Sequence, residues 1–295
     1  MAYHFPAHLR RRIEPTGFTR GILEELGLNT VCVSARCPNL PECFARHTAT
    51  FMILGETCTR RCLFCAIPRG NPVPPEATEP ERVTEAVRRL QLTHVVITSV
   101  ARDDLRDGGA SHFVKVITAV HRELPEVTVE VLTPDFKGDA SSIETVVGAA
   151  PEIYNHNLET VARLQQRVRP YARYERSLEL LRQVKRLSSD IWVKSGLMVG
   201  LGEREEEVLE TLEDLRASGC EILTIGQYLQ SDVHNLAVSE FVTPDRFRGY
   251  EKSAYALGFS YVFSGPFVRS SYLADEAKID IRRSRKTMKG KESFL

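Results

Sequence analysis

Six short runs rich in apolar and β-branched residues recur through the middle of the chain. They are TFMIL (50–54), HVVITSV (94–100), VTVEVL (127–132), EIYNHN (152–157), IWVKSGLMVG (191–200) and EILTIGQYL (221–229). Between them stand stretches of helical period: ATEPERVTEAVRRLQL, GASHFVKVITAVHREL, DASSIETVVGAA, RYERSLELLRQVKRL and REEEVLETLEDLRASG. Strand-length runs alternating with amphipathic helices read as repeated βα units with a parallel sheet. Their succession predicts an α/β chain built as a partial (β/α)6-type TIM barrel. FSYVFSG (259–265) offers one further strand. Gly109 and Asp139 stand where helices begin, and Pro125 and Pro151 fall just ahead of strands.

The first 50 residues and the stretch after 266 do not follow this rhythm. The expected organisation is an N-terminal extension over 1–49, a barrel over 50–265 and a C-terminal extension over 266–295. PRGNPVPPEATEP (68–80) is forced into an extended loop by its prolines. Of 295 residues, 42% are apolar and 26% charged, the balance of a soluble globular protein. No apolar run approaches the roughly 18 residues of a membrane span. The N-terminal MAYHFPAHLRRRIEP carries no apolar core of a secretory signal, so a cytoplasmic location is expected. Formal net charge is zero, which leaves no global field to draw the chain onto nucleic acid. The one basic cluster, KIDIRRSRKTMKGK (278–291), reads as a solvated end, or as a handle for an acidic protein.

GETCTRRCLFC (55–65) places Cys58, Cys62 and Cys65 directly after the first strand run, with spacing C-x3-C-x2-C. In a βα barrel the loops leaving the strands' C-terminal ends build the active site. Thiolates select zinc, Cu(I) or iron–sulfur clusters. A [4Fe–4S] cube takes four protein ligands, so three leave one iron open to a reacting cofactor. The plainer alternative is a zinc knuckle completed by a distant fourth ligand. Upstream, Cys32, Cys37 and Cys43 form a second triad, C-x4-C-x5-C, able to cap three irons of a second cluster. Its alternatives are a zinc site or incidental cysteines. The seventh cysteine, Cys220, reads as a small buried apolar side chain.

The CxxxCxxC triad, with aromatic Phe64 just before its last cysteine, resembles the radical S-adenosylmethionine (SAM) superfamily. GLMVGLGE (196–203) is similar to that superfamily's G-x-I-x-G-x-x-E pattern, with Met198 at the isoleucine position. The resemblance implies that SAM chelates the open iron and is cleaved to a 5′-deoxyadenosyl radical, with Phe64 near the adenine. Both triads together resemble the lipoyl synthase family. So do ARCPN, ATFMILG, VVITSVARDDLRDGGASHF, LTPDFKG, NHNLETV, VRPYARYERSLELL, LTIGQYLQ and GPFVRSSY, across about residues 15 to 275. This second resemblance implies an auxiliary [4Fe–4S] cluster on Cys32, Cys37 and Cys43, with Ser271 of the R-S-S-Y motif as its fourth ligand. Serine is a hard, poor partner for iron in a sulfide cube, which suits a cluster meant to be dismantled. Leu273 and Leu63 depart from the histidine and arginine common in that family, and neither is a proposed ligand.

The implied reaction inserts two sulfurs, at carbons six and eight of a protein-bound octanoyl-lysine, the auxiliary cluster being the sulfur source. The implied partners are octanoylated lipoyl domains of 2-oxoacid dehydrogenase complexes or the glycine-cleavage H protein. A flavodoxin- or ferredoxin-type electron donor and an iron–sulfur carrier complete the set, with no nucleic acid and no membrane. The two cubes are expected to face each other across the barrel mouth. By position on the rim, Ser99 is assigned to the amino-acid end of SAM, and Asn155, Asn157 and Glu159 to its ribose. The plainer reading makes these helix caps, Asn157 above all, with His156 turned into a packed layer. The rival functions are a radical SAM methylthiotransferase acting on tRNA, a two-cluster electron-transfer protein and a zinc-stabilised binding module.

Overall fold

The structure, a computed structural model, describes Pro6, Leu9 and residues 16–271. The basic tail, Leu273 and Tyr272 of the R-S-S-Y motif lie outside the described residues. Seven strands, counted among the described residues, form one sheet: β1 (Thr50–Ile53), β2 (His94–Ser99), β3 (Thr128–Leu132), β4 (Ile153–Asn155), β5 (Trp192–Val199), β6 (Ile222–Gln227) and β7 (Tyr261–Gly265). Every pair is parallel and the spatial order is the chain order, with β1 and β7 at the two edges. Three helices precede the sheet: α1 (Gly17–Glu25), α2 (Val31–Ser34) and α3 (Leu40–Ala45). The crossovers carry α4 (Glu79–Arg89), α5 (Ala110–Glu123), α6 (Ala140–Gly148), α7 (Gln165–Val168), α8 (Tyr174–Leu187), α9 (Glu205–Ala217) and α10 (Pro244–Ala256). This is the expected partial barrel, with FSYVFSG supplying the seventh strand.

Period-two alternation decides which face each strand residue takes. Val95, Ile97, Val129, Val131, Tyr154, Val193, Leu223 and Ile225 are fully buried in the main core with the helices. The alternate positions carry polar side chains: His94, Thr98, Glu130, Asn155, Lys194 and Thr224, all buried. Lys194 Nζ lies 2.8 Å from Glu130 Oε1, and His94 Nε2 lies 3.2 Å from Glu130 Oε2. Asn155 Nδ2 donates to the same carboxylate at 3.2 Å. Burial alone would raise the Glu130 pKa, but Lys194 and His94 outweigh it and hold the group at about 2. Ile153, Ile222, Trp192, Tyr261 and Phe263 form a separate small apolar cluster.

Residues 29–30 lie along the β1 edge. Thr30 makes an antiparallel bridge to Phe51, and Met52 N donates to Asn29 O at 2.9 Å. That pairing satisfies backbone groups an open sheet edge would expose. The cap expected at Asp139 is present, its carboxylate accepting from Ser142 N at 2.9 Å. The cap read at Asn157 is absent, because the chain turns back onto β5 there instead of entering a helix. Helix α10 carried no strong apolar period, yet Phe247, Tyr250 and Ala254 bury one face of it. Its start is marked by Thr243, whose hydroxyl accepts from Arg246 N, and by Pro244 at the first helical position.

His156 is 1% exposed, with Nδ1 2.9 Å from Thr133 O and Nε2 3.0 Å from Ser177 Oγ. Burial, then the nearby Arg169 charge, lower its pKa from 6.5 to about 4. The unfolded chain therefore takes up the proton first as pH falls. The contribution of the neutral ring to stability is complete above about pH 6.5 and is lost on descending to about pH 4, a span of about 3 kcal/mol. Urea unfolding of wild type and His156→Gln at pH 7.5, 6 and 5 should show this slope only in the wild type.

Candidate active site

Loop 54–70 leaves the C-terminal end of β1 and carries the first triad. It is held from several sides. Cys58 N donates to Pro68 O at 2.8 Å and Gly70 N to Cys58 O at 3.1 Å, so the loop closes on itself. Leu63 N donates to Val168 O at 2.9 Å, and Leu236 N to Leu63 O at 2.9 Å. Thr59 bonds Ala101 O through both N and Oγ1. The strongest anchor is Arg60, 6% exposed. Its Nε and Nη2 each lie 2.7 Å from Asp103, and Nη1 lies 2.6 Å from Asp135. Arg176 Nε reaches the second Asp135 oxygen at 2.7 Å. Asp135 is fully buried; burial would raise its pKa, but Arg60, His156 and Arg176 hold it at about 2. The fork thus joins the cysteine loop to the ends of β2 and β3 with charge-assisted bonds on planar partners.

The thiols of this loop sense one another. Burial raises Cys62 and pushes Cys65 up to about 12, and the neighbouring cysteines and Glu159 add to the rise. A cation that replaced the protons would reverse that penalty, as metal binding to thiols does. Two backbone N–H groups already face the sulfurs: Arg60 N lies 3.4 Å from Cys58 Sγ and Ile67 N 3.5 Å from Cys65 Sγ. Cys62 and Cys65 line a cavity of about 450 Å³ with Arg61, Arg69, Asp232 and His234. Among the described residues no three ligating side chains converge on a single-ion position.

The rim residues assigned from the sequence fall into two groups. Asn157, Glu159 and Met198 come together: Asn157 Nδ2 donates to Glu159 Oε1 at 3.1 Å, and Met198 N donates to Glu159 O at 2.9 Å. Burial raises the Glu159 pKa, opposed by Arg169 and Asn157. Asn155 instead bonds the Glu130 group deeper in the sheet. Phe64 is half-buried against the core. Ser99 Oγ, Asn155 Oδ1, Asn157 Oδ1 and Thr160 Oγ1 are buried without a protein partner. Orphaned polar atoms at the ends of β2 and β4 fit a polar ligand such as the amino-acid and ribose groups of SAM. Glu203 of GLMVGLGE has a plain role, accepting from Gly200 N at 2.5 Å and Leu201 N at 2.9 Å. Arg169 escaped sequence reasoning. It is buried, bonds the carbonyls of Asn157 and Leu158, and its charge reaches Cys62 and Glu159. Its one signal was a cation inside the VRPYARYERSLELL run.

The second triad lies against the β1 edge. Cys37 N donates to Cys32 O at 3.0 Å and Cys43 N to Asn39 O at 2.9 Å. Burial pushes the Cys32 thiol up to about 11, with Cys37 adding to the rise and Thr50 opposing it through hydrogen bonds. Thr50 Oγ1 also lies 2.7 Å from Ser271 Oγ. The C-terminal segment that brings Ser271 there crosses several elements. Asn39 Nδ2 donates to Phe267 O at 2.6 Å, and Asn157 Nδ2 to Ser270 Oγ at 2.5 Å. A Cβ on Gly226 of β6 would collide with the Val268 carbonyl oxygen, so glycine is needed for this approach. Ser271 meets Thr50 at the first residue of β1, while its neighbour Ser270 meets Asn157 just past the end of β4.

Arg60→Met leaves the Asp135 carboxylate buried with one of its two charged partners. A loss of roughly 3 kcal/mol in urea unfolding is expected on the scale of a broken buried pair, with Arg88→Met on the exposed face of α4 giving no measurable change.

The Radical SAM superfamily model matches residues 52–215. The lipoyl synthase of Caldanaerobacter subterraneus subsp. tengcongensis is 56% identical over 277 residues, covering 93% of this chain and 97% of its own. The lipoyl synthase of Rubrobacter xylanophilus is 52% identical, covering 94% and 88%. That of Thiobacillus denitrificans is 53% identical, covering 88% and 84%. In architecture the chain is similar to methylornithine synthase (PylB), with a TM-score of 0.54 at 12% identity over 87% of this chain and 84% of that one. Streptococcus suis SuiB bound to its precursor peptide SuiA gives 0.56 at 11% identity, over 77% and 52%. With a barrel of this topology, a cysteine triad on its first loop and relatives so alike over most of their length, the chain belongs to the lipoyl synthase family of radical SAM enzymes.

Proposed function

We propose that this chain converts a protein-bound octanoyl-lysine to lipoyl-lysine by inserting two sulfur atoms, at carbons six and eight. The octanoyl group is carried by a lipoyl domain of a 2-oxoacid dehydrogenase complex or by the glycine-cleavage H protein. When bound, one [4Fe–4S] cluster with SAM supplies a primary carbon radical that takes hydrogen from an unactivated methylene, and a second cluster supplies the sulfide.

The chain's own residues divide that work. Cys58, Cys62 and Cys65 hold three irons, and the loop offers no fourth cysteine, which keeps one coordination position for SAM. Arg60 fixes the loop through Asp103 and Asp135, so the thiols are set before the cofactor arrives. Phe64, Ser99, Asn157, Glu159 and Met198 are assigned to the SAM side, with Asn155 set behind them against Glu130, and Arg169 adds a buried positive charge beside Cys62. Cys32, Cys37, Cys43 and Ser271 hold the second cluster. The observation that carries this reading is the meeting of Cys32 and Ser271 on one hydroxyl, Thr50 Oγ1, although 239 positions separate them in sequence. A serine brought so far to a cysteine cluster supports a fourth ligand of deliberately weak affinity.

The rival readings gain no support. None of the relatives described above is a tRNA-modifying enzyme or an electron carrier. No helix among the described residues is long and apolar enough to cross a membrane.

Anaerobic incubation with reductant, SAM and an octanoylated carrier peptide tests the assignment, with products read by mass spectrometry. Wild type should bind about eight irons and give both 5′-deoxyadenosine and lipoyl peptide. Cys62→Ala should lose both products. Cys37→Ala should keep SAM cleavage and lose sulfur insertion. Equal loss of SAM cleavage in these two variants would contradict the division.

Gly226→Ala pushes on the Val268 carbonyl rather than on any proposed ligand. It should therefore impair sulfur insertion more than SAM cleavage, as Ser271→Ala should. Comparing the two product yields for each variant checks this.

A further inference from the structure

Two cavities lie at opposite ends of the strands. The larger opens at the C-terminal ends and is lined by Cys62 and Cys65. The other, of about 260 Å³, is lined by Thr48, Thr50, Leu92, Thr93, His94 and Ser271 among others. Thr48 precedes β1, Leu92 and Thr93 precede β2, and Thr50 and His94 are the first residues of those strands. This second cavity therefore opens at the N-terminal ends of the sheet. The two are lined by different residues, and the C-terminal segment runs between them: Ser270 Oγ accepts from Asn157 Nδ2 just past the end of β4, and Ser271 follows it into the second cavity. The Ser271 hydroxyl, bonded to Thr50, faces the second one.

Resting on the reading that the second cluster is consumed, we infer that this cavity is the route by which iron and sulfide return to it. A sulfur source that is spent in each turnover must be restored at the corner whose ligand is most easily lost, and that corner is Ser271. The mouth at the other end serves SAM and the alkyl chain. A separate entrance lets the cluster be refilled without passing either of them. The size is informative: about 260 Å³ is the share of roughly eight waters. That admits ferrous ions and hydrosulfide, but no folded carrier. A carrier holding a cluster on its own thiolates would have to dock over the opening and pass the iron and sulfide through. The hydroxyls of Thr48 and Thr50 and the basic side chains of Arg46 and His47 at its wall suit hydrated iron and an anionic sulfur species.

Leu92→Trp and Thr93→Trp each place an indole at the opening, at positions that are not proposed ligands, and Thr93→Ala is the small control. Full-length enzyme holding both clusters is allowed one turnover on octanoylated carrier. It is then given ⁵⁷Fe(II) with sulfide in one arm, and a ⁵⁷Fe-loaded [4Fe–4S] carrier protein in the other. Uptake of ⁵⁷Fe at the second site is followed by Mössbauer spectroscopy. The first turnover should match wild type in all three variants. Uptake should slow about tenfold or more in both Trp variants, as expected when access is gated, and stay unchanged in Thr93→Ala. Slowing in the free-ion arm identifies a path for ions; slowing in the carrier arm alone identifies a docking face. Wild-type uptake in both Trp variants and in both arms overturns the inference. The same uptake is measured in a Cys58→Ala, Cys62→Ala, Cys65→Ala chain filled from its apo form, where only the second site loads. That measurement needs no turnover. If wild type makes no lipoyl product, the functional reading fails, and the route is still judged from this filling rate.

Discussion

The buried guanidinium of Arg60 is the constraint on which the active end of the molecule depends. A cysteine loop with no regular secondary structure has little to hold it, since each residue fixed costs conformational entropy. Arg60 sits inside that loop and spends its rigid fork on two carboxylates from two other strand ends. Asp135 then passes the connection to Arg176 on α8. A lysine would offer one point charge and no fork. Cys62 and Cys65 supply no such anchor themselves, because desolvation disfavours their thiolates before metal binds.

The second triad is organised differently. Its cysteines lie on short helices and turns whose backbone bonds are local. What ties them to the barrel is the edge pairing of Thr30 with Phe51, and a C-terminal segment that touches Asn39, Asn157, Gly226 and Thr50 in turn. That segment's contacts come from four separate parts of the chain. The first loop is thus anchored by a buried charged fork, and the second set by single contacts. The chemistry proposed for the two sets differs in the same sense, one kept and one spent.

Much of the fold was legible because strand and helix periods differ. All six strand runs and the seventh candidate lie where β1 to β7 form, since each couples an apolar face to a helix-covered core. Helix α10 was passed over because three buried residues in thirteen make a faint period, and only its Thr-Pro start marked it. Asn157 was weighed as a helix cap because Asn favours that role, but backbone pairing with β5 won. Glu130 and Lys194 stood in plain view inside apolar runs. Their partnership depended on strand register across β3, β4 and β5, which no single run reveals.

By itself the sequence determined the barrel rhythm, the two cysteine spacings and the family they resemble, because these are local properties: period, ligand type and distance along the chain. Tertiary structure alone decided that Arg60 anchors the first loop, that Arg169 stands beside Cys62, and that Ser271 meets Cys32 through Thr50. It also decided that this meeting lies at the start of β1, one residue along the chain from the contact of Ser270 with Asn157. Contacts between residues tens to hundreds of positions apart are fixed by register and packing, and neither is written in the spacing of one motif.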